Sequence, residues 1–176
     1  MSEQLANRLR EAIVDVPDFP KPGIIFKDIT PVLEDPELFA DTIGALHDRY
    51  VDQGITAVAA PESRGFIIGA PLAISLGVPL VLVRKPGKLP RATISQTYEL
   101  EYGVDEVHIH ADAVGYGDNV VIVDDLLATG GTAKAALELI ERTGAKVAES
   151  AFMIELAGLE GRKKLGRQAF SLVRYT

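Results

Sequence analysis

Residues 120–132, with the sequence VVIVDDLLATGGT, constrain the fold of this 176-residue chain more than any other segment. Four apolar β-branched residues predict a buried strand, and Asp124 and Asp125 give that strand a polar end. The small residues that follow predict a turn that opens onto a helix N-terminus; they are Ala128, Thr129, Gly130, Gly131 and Thr132. Because unpaired backbone N–H groups and the positive end of the helix converge there, such a turn can bind a phosphate.

The amino-acid sequence excludes two common phosphate-binding motifs. It contains no Gly-Lys-Ser/Thr, the ending that a nucleoside-triphosphate P-loop requires. Gly115 and Gly117 precede the strand, and Val120 stands where a dinucleotide motif has its third glycine. Two carboxylates beside a phosphate are expected if the ligand also donates hydroxyls or carries a metal ion. A phosphorylated ribose with a free 2′,3′-diol meets this description.

Apolar segments that alternate with helical patterns predict a parallel sheet covered by helices. The predicted strands are residues 55–60, 78–83, 120–123 and 147–154. Polar residues follow three of them, at 62–64, 84–85 and 124–125, so the candidate chemistry gathers at the carboxyl edge of the sheet. Residues 93–102 and 105–110 alternate polar and apolar side chains, which predicts an antiparallel hairpin that turns near Gly103.

Composition narrows the function classes. A net charge of −7 opposes general nucleic-acid binding, and the absence of cysteine excludes disulfides and a cysteine nucleophile. No apolar run reaches the ~20 residues of a membrane span, and the polar N-terminus predicts a cytoplasmic protein without a membrane partner.

His108 and His110 share a strand face, and we interpret them as solvated surface rather than a zinc site. A basic cluster near the C-terminus is also interpreted as surface: Arg162, Lys163, Lys164 and Arg167.

Five segments together resemble the type I phosphoribosyltransferases, and among them the adenine phosphoribosyltransferases. Residues 120–132 are similar to the family's signature for 5-phosphoribosyl-1-pyrophosphate (PRPP), and the other segments are 19–31 (FPKPGIIFKDITP), 61–66 (PESRGF), 84–90 (RKPGKLP) and 98–103 (YELEYG). The resemblance runs along most of the chain. It implies an α/β fold with a mainly parallel twisted sheet, helices on both faces, a small N-terminal hood and a flexible β-hairpin lid. We therefore expect one domain over residues 1–176, with the hood in 1–34, the core in 35–176 and the lid at about 85–110.

The resemblance also implies substrates and roles. PRPP and adenine would give AMP and pyrophosphate in a homodimeric enzyme, with Mg²⁺ held mainly through PRPP; direct ligation by Asp124 or Asp125 stays open. These two acids would bind the ribose hydroxyls, and residues 128–132 would bind the 5-phosphate. The pyrophosphate would be bound by Ser63, Arg64, Arg84, Lys85 and Lys88, of which Arg64 and Lys85 would also stabilise charge during catalysis.

For the base, the resemblance implies backbone recognition near Ile25 and Lys27, with Ile25 and Leu126 packed on the ring faces. Glu101 is the expected acid/base residue, although a solvent-facing glutamate fits the pattern equally well because Glu99 lies on the same strand face. Tyr102 would help to close the lid. The family also has a non-proline cis peptide that would fall at 62–63. Two alternatives remain: a PRPP-sensing regulatory protein with the same fold, and an enzyme for another purine.

Overall fold

The structure is a computed structural model that describes residues 3–99 and 103–176. Contacts group the chain into two compact units, Met1–Arg49 and Tyr50–Thr176. Within the described residues, no helix combines the length and the apolar character needed to cross a membrane.

The first unit is built from short helices and one hairpin. Its elements are α1 (Glu3–Ala12), β1 (Val14–Pro17), β2 (Ile25–Asp28), α2 (Thr30–Glu34) and α3 (Pro36–Tyr50), whose last residue falls in the second unit. Strands β1 and β2 are antiparallel, and Lys27 Nζ lies 2.5 Å from Asp15 Oδ1 across the pair. Asp35 caps α3 by accepting hydrogen bonds from the N–H groups of Glu37 and Leu38, both at 3.0 Å. Asp35 is therefore the N-cap of α3, and Pro36 occupies its first helical position, where a missing N–H costs nothing.

The second unit contains a five-stranded parallel sheet with the order β4-β3-β7-β8-β9. Its elements in chain order are β3 (Ala57–Pro61), α4 (Arg64–Leu76), β4 (Leu80–Val83), β5 (Thr93–Glu99), β6 (Val104–His110), β7 (Asn119–Leu127), α5 (Gly131–Glu141), β8 (Lys146–Leu156), a 3₁₀ turn (Ala157–Leu159), α6 (Gly161–Leu165) and β9 (Ala169–Tyr175). All four predicted sheet strands are present. Strand β9 was not predicted, because its alternating pattern follows a charged segment that we interpreted as surface.

Helices α4 and α5 cover opposite faces of this sheet. A Cβ atom on Gly69 of α4 would lie 2.7 Å from Ala60 Cβ, so α4 packs closely on the face to which Ala60 points. Residues of α5 pack in the core cluster that includes Ala57 and Ala59, whose side chains point the other way. The prediction of a parallel sheet with helices on both faces is therefore confirmed.

The predicted hairpin is confirmed between β5 and β6, which pair antiparallel from Thr93–His110 to Glu99–Val104. It packs on α5 through Ile94 and Tyr98, and Arg142 of the segment after α5 donates a hydrogen bond to the Ser95 carbonyl oxygen at 2.7 Å. One antiparallel bridge, Arg84 to His108, joins the hairpin to the end of β4.

Candidate functional site

A pocket of about 380 Å³ opens at the carboxyl ends of β3 and β7. It is lined by the segment after β3 and by a continuous run from the end of β7 into α5: Glu62, Ser63, Arg64, Asp124, Asp125, Leu126, Leu127, Ala128, Thr129, Gly130, Gly131, Thr132 and Ala133. The structure thus brings together the acid pair, the turn of small residues and Arg64, as the edge-of-sheet argument predicts.

The turn of small residues forms the floor of the pocket. Gly130 adopts φ +79°, a left-handed conformation that favours glycine, and α5 begins at the next residue. The first N–H groups of an α-helix lack acceptors within the helix, and in α5 they belong to pocket-lining residues from Gly131 onward. The positive end of the helix therefore faces the pocket, which is the arrangement that binds a phosphate.

The turn is supported from behind by the start of α6. A Cβ atom on Gly161 would lie only 2.1 Å from the Ala128 carbonyl oxygen, and one on Gly130 would lie 2.5 Å from the Gly161 carbonyl oxygen. Both positions therefore require glycine because two backbone segments touch. Sequence reasoning missed Gly161, because its partner lies in a distant segment of the chain.

The acid pair belongs to the strand itself, since β7 continues through both acids to Leu127 while it pairs with β8. The Asp125 side chain is 7% exposed, and its Oδ2 accepts a hydrogen bond from Arg64 Nε at 2.5 Å. Asp124 Oδ1 accepts the Asp125 backbone N–H at 2.9 Å. Burial, and then the negative charge of Asp125, raise the pKa of Asp124 well above its ordinary value. The site thus holds a carboxylate that is paired with Arg64 beside one that resists ionisation.

The segment between β3 and α4 contributes the opposite wall. The peptide bond between Glu62 and Ser63 is cis, at the place that the family resemblance implies. A Cβ atom on Gly65 would lie 3.0 Å from Asp124 Oδ1, so the start of α4 packs directly against the acid pair. Glu62 accepts hydrogen bonds from Arg84 Nε at 2.7 Å and from the Lys85 backbone N–H at 3.1 Å. Partial burial is the largest single influence and raises the pKa of Glu62, but the hydrogen bonds from Arg84 and the Lys85 N–H, with the charges of Arg84 and Lys88, together outweigh it and the net pKa is lowered.

Arg84, Lys85 and Lys88 do not line this pocket. Arg84 binds Glu62 and donates to the Lys88 carbonyl oxygen at 3.1 Å, and Lys88 itself is exposed. Lys85 Nζ donates to the Tyr98 hydroxyl at 2.8 Å and also pairs with Asp105. Arg84, Lys85 and Lys88 thus form a local concentration of positive charge, in which Arg84 and Lys85 bind other side chains of the second unit.

Comparison with known proteins identifies the family. The profile of the phosphoribosyl transferase domain matches residues 30–172. An adenine phosphoribosyltransferase of Carboxydothermus hydrogenoformans is 59% identical over 168 residues, which covers 95% of this chain and 99% of that protein. The chain belongs to the adenine phosphoribosyltransferases.

Solved adenine phosphoribosyltransferases share the whole architecture. The crystal structure from Thermoanaerobacter pseudethanolicus is 52% identical, with a TM-score of 0.93, and the match covers 97% of this chain and 99% of that one. The structure from Saccharomyces cerevisiae, a complex with D-2,5-dideoxy-2,5-imino-altritol 1,6-bisphosphate and adenine, is 43% identical with a TM-score of 0.92 and the same coverage. The fold is thus the type I phosphoribosyltransferase fold, and the enzyme class is pentosyltransferase.

The residues expected to bind the base in an adenine phosphoribosyltransferase fall in different parts of this structure. Leu126 lines the pocket. Ile25 and Lys27 lie on β2 of the first unit, where Ile25 is 57% exposed and Lys27 pairs with Asp15. Glu101 and Tyr102 lie outside the described residues.

The C-terminal basic residues Arg162, Lys163, Lys164 and Arg167 are all exposed, as predicted. Arg162 nevertheless donates to both carboxylate oxygens of Glu155, whose side chain is 3% exposed, and it also binds the Ala169 carbonyl oxygen. The interpretation of His108 and His110 as solvated surface was wrong: both are partly buried, and His108 Nδ1 lies 3.2 Å from Thr93 Oγ1. In both cases the partner comes from another segment, so no local pattern reveals it.

Proposed function

We propose that this adenine phosphoribosyltransferase transfers the phosphoribosyl group of PRPP to N9 of adenine, which gives AMP and pyrophosphate. The N9–C1′ bond forms while the C1′–O bond to pyrophosphate breaks, and the N9 proton passes to a base. The observation that carries the proposal is the pocket itself, where the acid pair and a helix N-terminus lie on one continuous wall. This arrangement suits a ligand that has both hydroxyl donors and an anionic phosphate.

The pocket suggests which residues would bind each portion of PRPP. The turn at 128–132 would bind the 5-phosphate through backbone N–H groups, and the carboxylates of Asp124 and Asp125 would accept from the ribose diol. Arg64 has a side chain that is 43% exposed and lies on the pocket wall, so its guanidinium can serve Asp125 and a pyrophosphate oxygen together. Ser63 and the neighbouring backbone would add donors to the pyrophosphate. Positive charge at this position stabilises the charge that grows on the leaving group.

Lys85, Lys88 and Arg84 would complete the pyrophosphate site. Lys85 and Arg84 each bind a carboxylate in the structure, through Asp105 and Glu62. An anion with several charged oxygens can share these cations, since an ammonium has three donors and a guanidinium five. Glu101 would take the N9 proton, Tyr102 would close over the reacting centre, and Ile25, Lys27 and Leu126 would bind the base. Exclusion of water protects a ribosyl centre with oxocarbenium character.

Mg²⁺ fits as an ion that arrives with PRPP. Among residues 3–99 and 103–176, no group of three or more acidic or histidine side chains is placed to hold a metal. Asp125 is already paired with Arg64, and the raised pKa of Asp124 opposes its use as a free anionic ligand. When bound, the ion would neutralise pyrophosphate charge, while Asp124 and Asp125 would bind the sugar hydroxyls. We also propose that the enzyme is a cytoplasmic homodimer, which analytical ultracentrifugation tests for the assembly.

A spectrophotometric assay with PRPP, Mg²⁺ and one purine at a time tests the function. We expect turnover with adenine and little with hypoxanthine, guanine or xanthine. Turnover of guanine but not adenine would overturn the assignment of the base. PRPP binding without turnover of any purine would instead indicate a sensor. Omission of Mg²⁺, with excess chelator, is expected to abolish activity without unfolding the protein.

A further inference from the structure

The hydroxyl of Tyr98 joins three parts of the second unit. It accepts hydrogen bonds from Lys85 Nζ at 2.8 Å and from Thr132 Oγ1 at 3.2 Å, and it donates one to Asp105 Oδ2 at 3.0 Å. A phenolic hydroxyl has one proton and two lone pairs, so each of its hydrogen-bonding positions has a partner. The hairpin, the basic segment and the first turn of α5 therefore meet at one oxygen atom.

The ring of Tyr98 is held independently of this hydroxyl. A Cβ atom on Gly131 would lie 3.3 Å from Tyr98 Cδ2, so the ring packs against the residue at which α5 begins. The Lys85 ammonium lies 5.2 Å from the ring centroid, in the range of a cation–π contact. Replacement of Tyr98 by phenylalanine should therefore keep the ring in place and remove only the hydrogen bonds.

Asp105 faces Tyr98 directly across the hairpin and binds both Tyr98 and Lys85. Partial burial lowers the pKa of Lys85, but the hydrogen bonds to Asp105 and Tyr98 outweigh it and the net pKa is raised. Of the three ammonium donors, Tyr98 and Asp105 take two, and the third can reach a ligand oxygen.

We infer that Tyr98 is a positioning residue whose hydroxyl places the Lys85 ammonium and the first turn of α5 at Thr132 for the phosphates of PRPP, with Asp105 fixing the hydroxyl in turn. The inference rests on the proposed function, because Lys85 and Thr132 are the groups assigned to the pyrophosphate and the 5-phosphate. A long lysine side chain that is already located loses less conformational entropy when the anion binds. The orientation of the Thr132 hydroxyl toward Tyr98 leaves its backbone N–H as the donor to the phosphate.

The test compares Tyr98→Phe with Tyr116→Phe, which removes a hydroxyl from a residue that is 98% exposed. We expect Tyr98→Phe to lower kcat/KM for PRPP about tenfold, with an unchanged KM for adenine and an unchanged melting temperature. The alkaline limb of the pH profile of kcat/KM for PRPP should also move to lower pH, because Lys85 loses a partner that raises its pKa. A purely structural residue would not move that limb. Values for Tyr98→Phe that match Tyr116→Phe, or tighter PRPP binding, would overturn the inference.

A double-mutant cycle tests whether Tyr98 and Asp105 act together or independently. The combination of Tyr98→Phe and Asp105→Asn should cost about as much as the stronger single change, whereas additive losses would overturn the inference. If Tyr98→Phe does not fold, Asp105→Asn alone, at a side chain that is 29% exposed, carries the same PRPP and pH measurements. If the wild type binds PRPP but transfers it to no purine, the proposed function fails, and calorimetry of PRPP binding to the same variants still decides the role of Tyr98.

Discussion

Gly161 and Ala128 touch through their backbones: a Cβ atom on Gly161 would lie 2.1 Å from the Ala128 carbonyl oxygen. The turn that faces the pocket is therefore shaped from the side away from the ligand. An added methyl group here meets backbone, which cannot rotate away as a flexible side chain can.

We expect Gly161→Ala to displace the turn, to destabilise the protein by about 1–3 kcal/mol and to weaken PRPP binding. The matched control is Gly158→Ala, because a Cβ atom at Gly158 meets nothing within 4 Å. Thermal unfolding and calorimetric titration with PRPP measure the two effects. Equal behaviour of the two variants would contradict the close approach.

Arg64→Ala should reduce both stability and PRPP affinity, because it leaves the Asp125 carboxylate buried without its cation. Since the Arg64 side chain is 43% exposed and water can enter in its place, we expect about 1–3 kcal/mol rather than the larger loss typical of a fully buried pair. The double variant Arg64→Ala/Asp125→Asn should regain part of this stability.

Arg91→Ala is the control: its pair with Asp112 has side chains 61% and 68% exposed, and its loss should cost less than about 1 kcal/mol. Chemical denaturation compares the variants; a double variant no more stable than Arg64→Ala would refute the charge argument.

Asp124→Asn should stabilise the ligand-free protein at neutral pH while it weakens PRPP binding. The folded-state pKa of Asp124 is raised, first by burial and then by Asp125, so the folded protein binds this proton more tightly than the unfolded chain. Stability from this group is complete below the unfolded value of about 3.9 and is lost as the pH rises through the folded pKa.

The advantage of Asp124→Asn should therefore be present at pH 8 and should disappear near pH 3, below the unfolded pKa. Melting curves across this range measure it, with Asp52→Asn as the control at an exposed acid. A constant difference across pH would mean that the carboxylate is not destabilised in the folded protein.

Glu101→Ala and Glu99→Ala distinguish an acid/base role of Glu101 from that of a solvent-facing glutamate. Loss of an acid/base residue costs on the order of 100-fold in kcat, so Glu101→Ala should lower kcat by at least that factor while PRPP binding changes little. Glu99 is exposed on β5, and its replacement should leave kcat near the wild-type value. Single-turnover kinetics would settle the matter, and an unchanged kcat for Glu101→Ala would remove that residue from the reaction.

Local pattern predicted those parts of the fold that are specified by neighbouring residues. The buried strand at 120–123, the turn of small residues and the hairpin near Gly103 each have their signal within a few residues, and all three are present. The acid pair and Arg64 met in one pocket because the carboxyl ends of parallel strands share an edge.

The features that sequence reasoning missed depend on pairs of distant residues. The ion pair between the exposed Arg162 and the buried Glu155 was not predicted, because Glu155 sits in an otherwise apolar strand and the sequence around either residue does not indicate the other. The alternating pattern places Tyr98 in a hairpin, but it does not indicate that the Tyr98 hydroxyl lies between Lys85 and Thr132. Close approaches of this kind follow from the tertiary fold, so they become visible only when the segments are placed together.

The position of β7 in the middle of the sheet has a consequence for local unfolding of the protein. This strand ends at the pocket and pairs with β3 on one side and β8 on the other. Any local unfolding that frees β7 must therefore separate it from two strands that do not line the pocket, and it must release the ligand as well. PRPP at about 100 times its Kd would add about 2.7 kcal/mol to that opening. When PRPP binds, amide hydrogen exchange should slow in β3 and β8 as well as in β7. A ligand bound at the end of one strand thus protects three central strands from exchange.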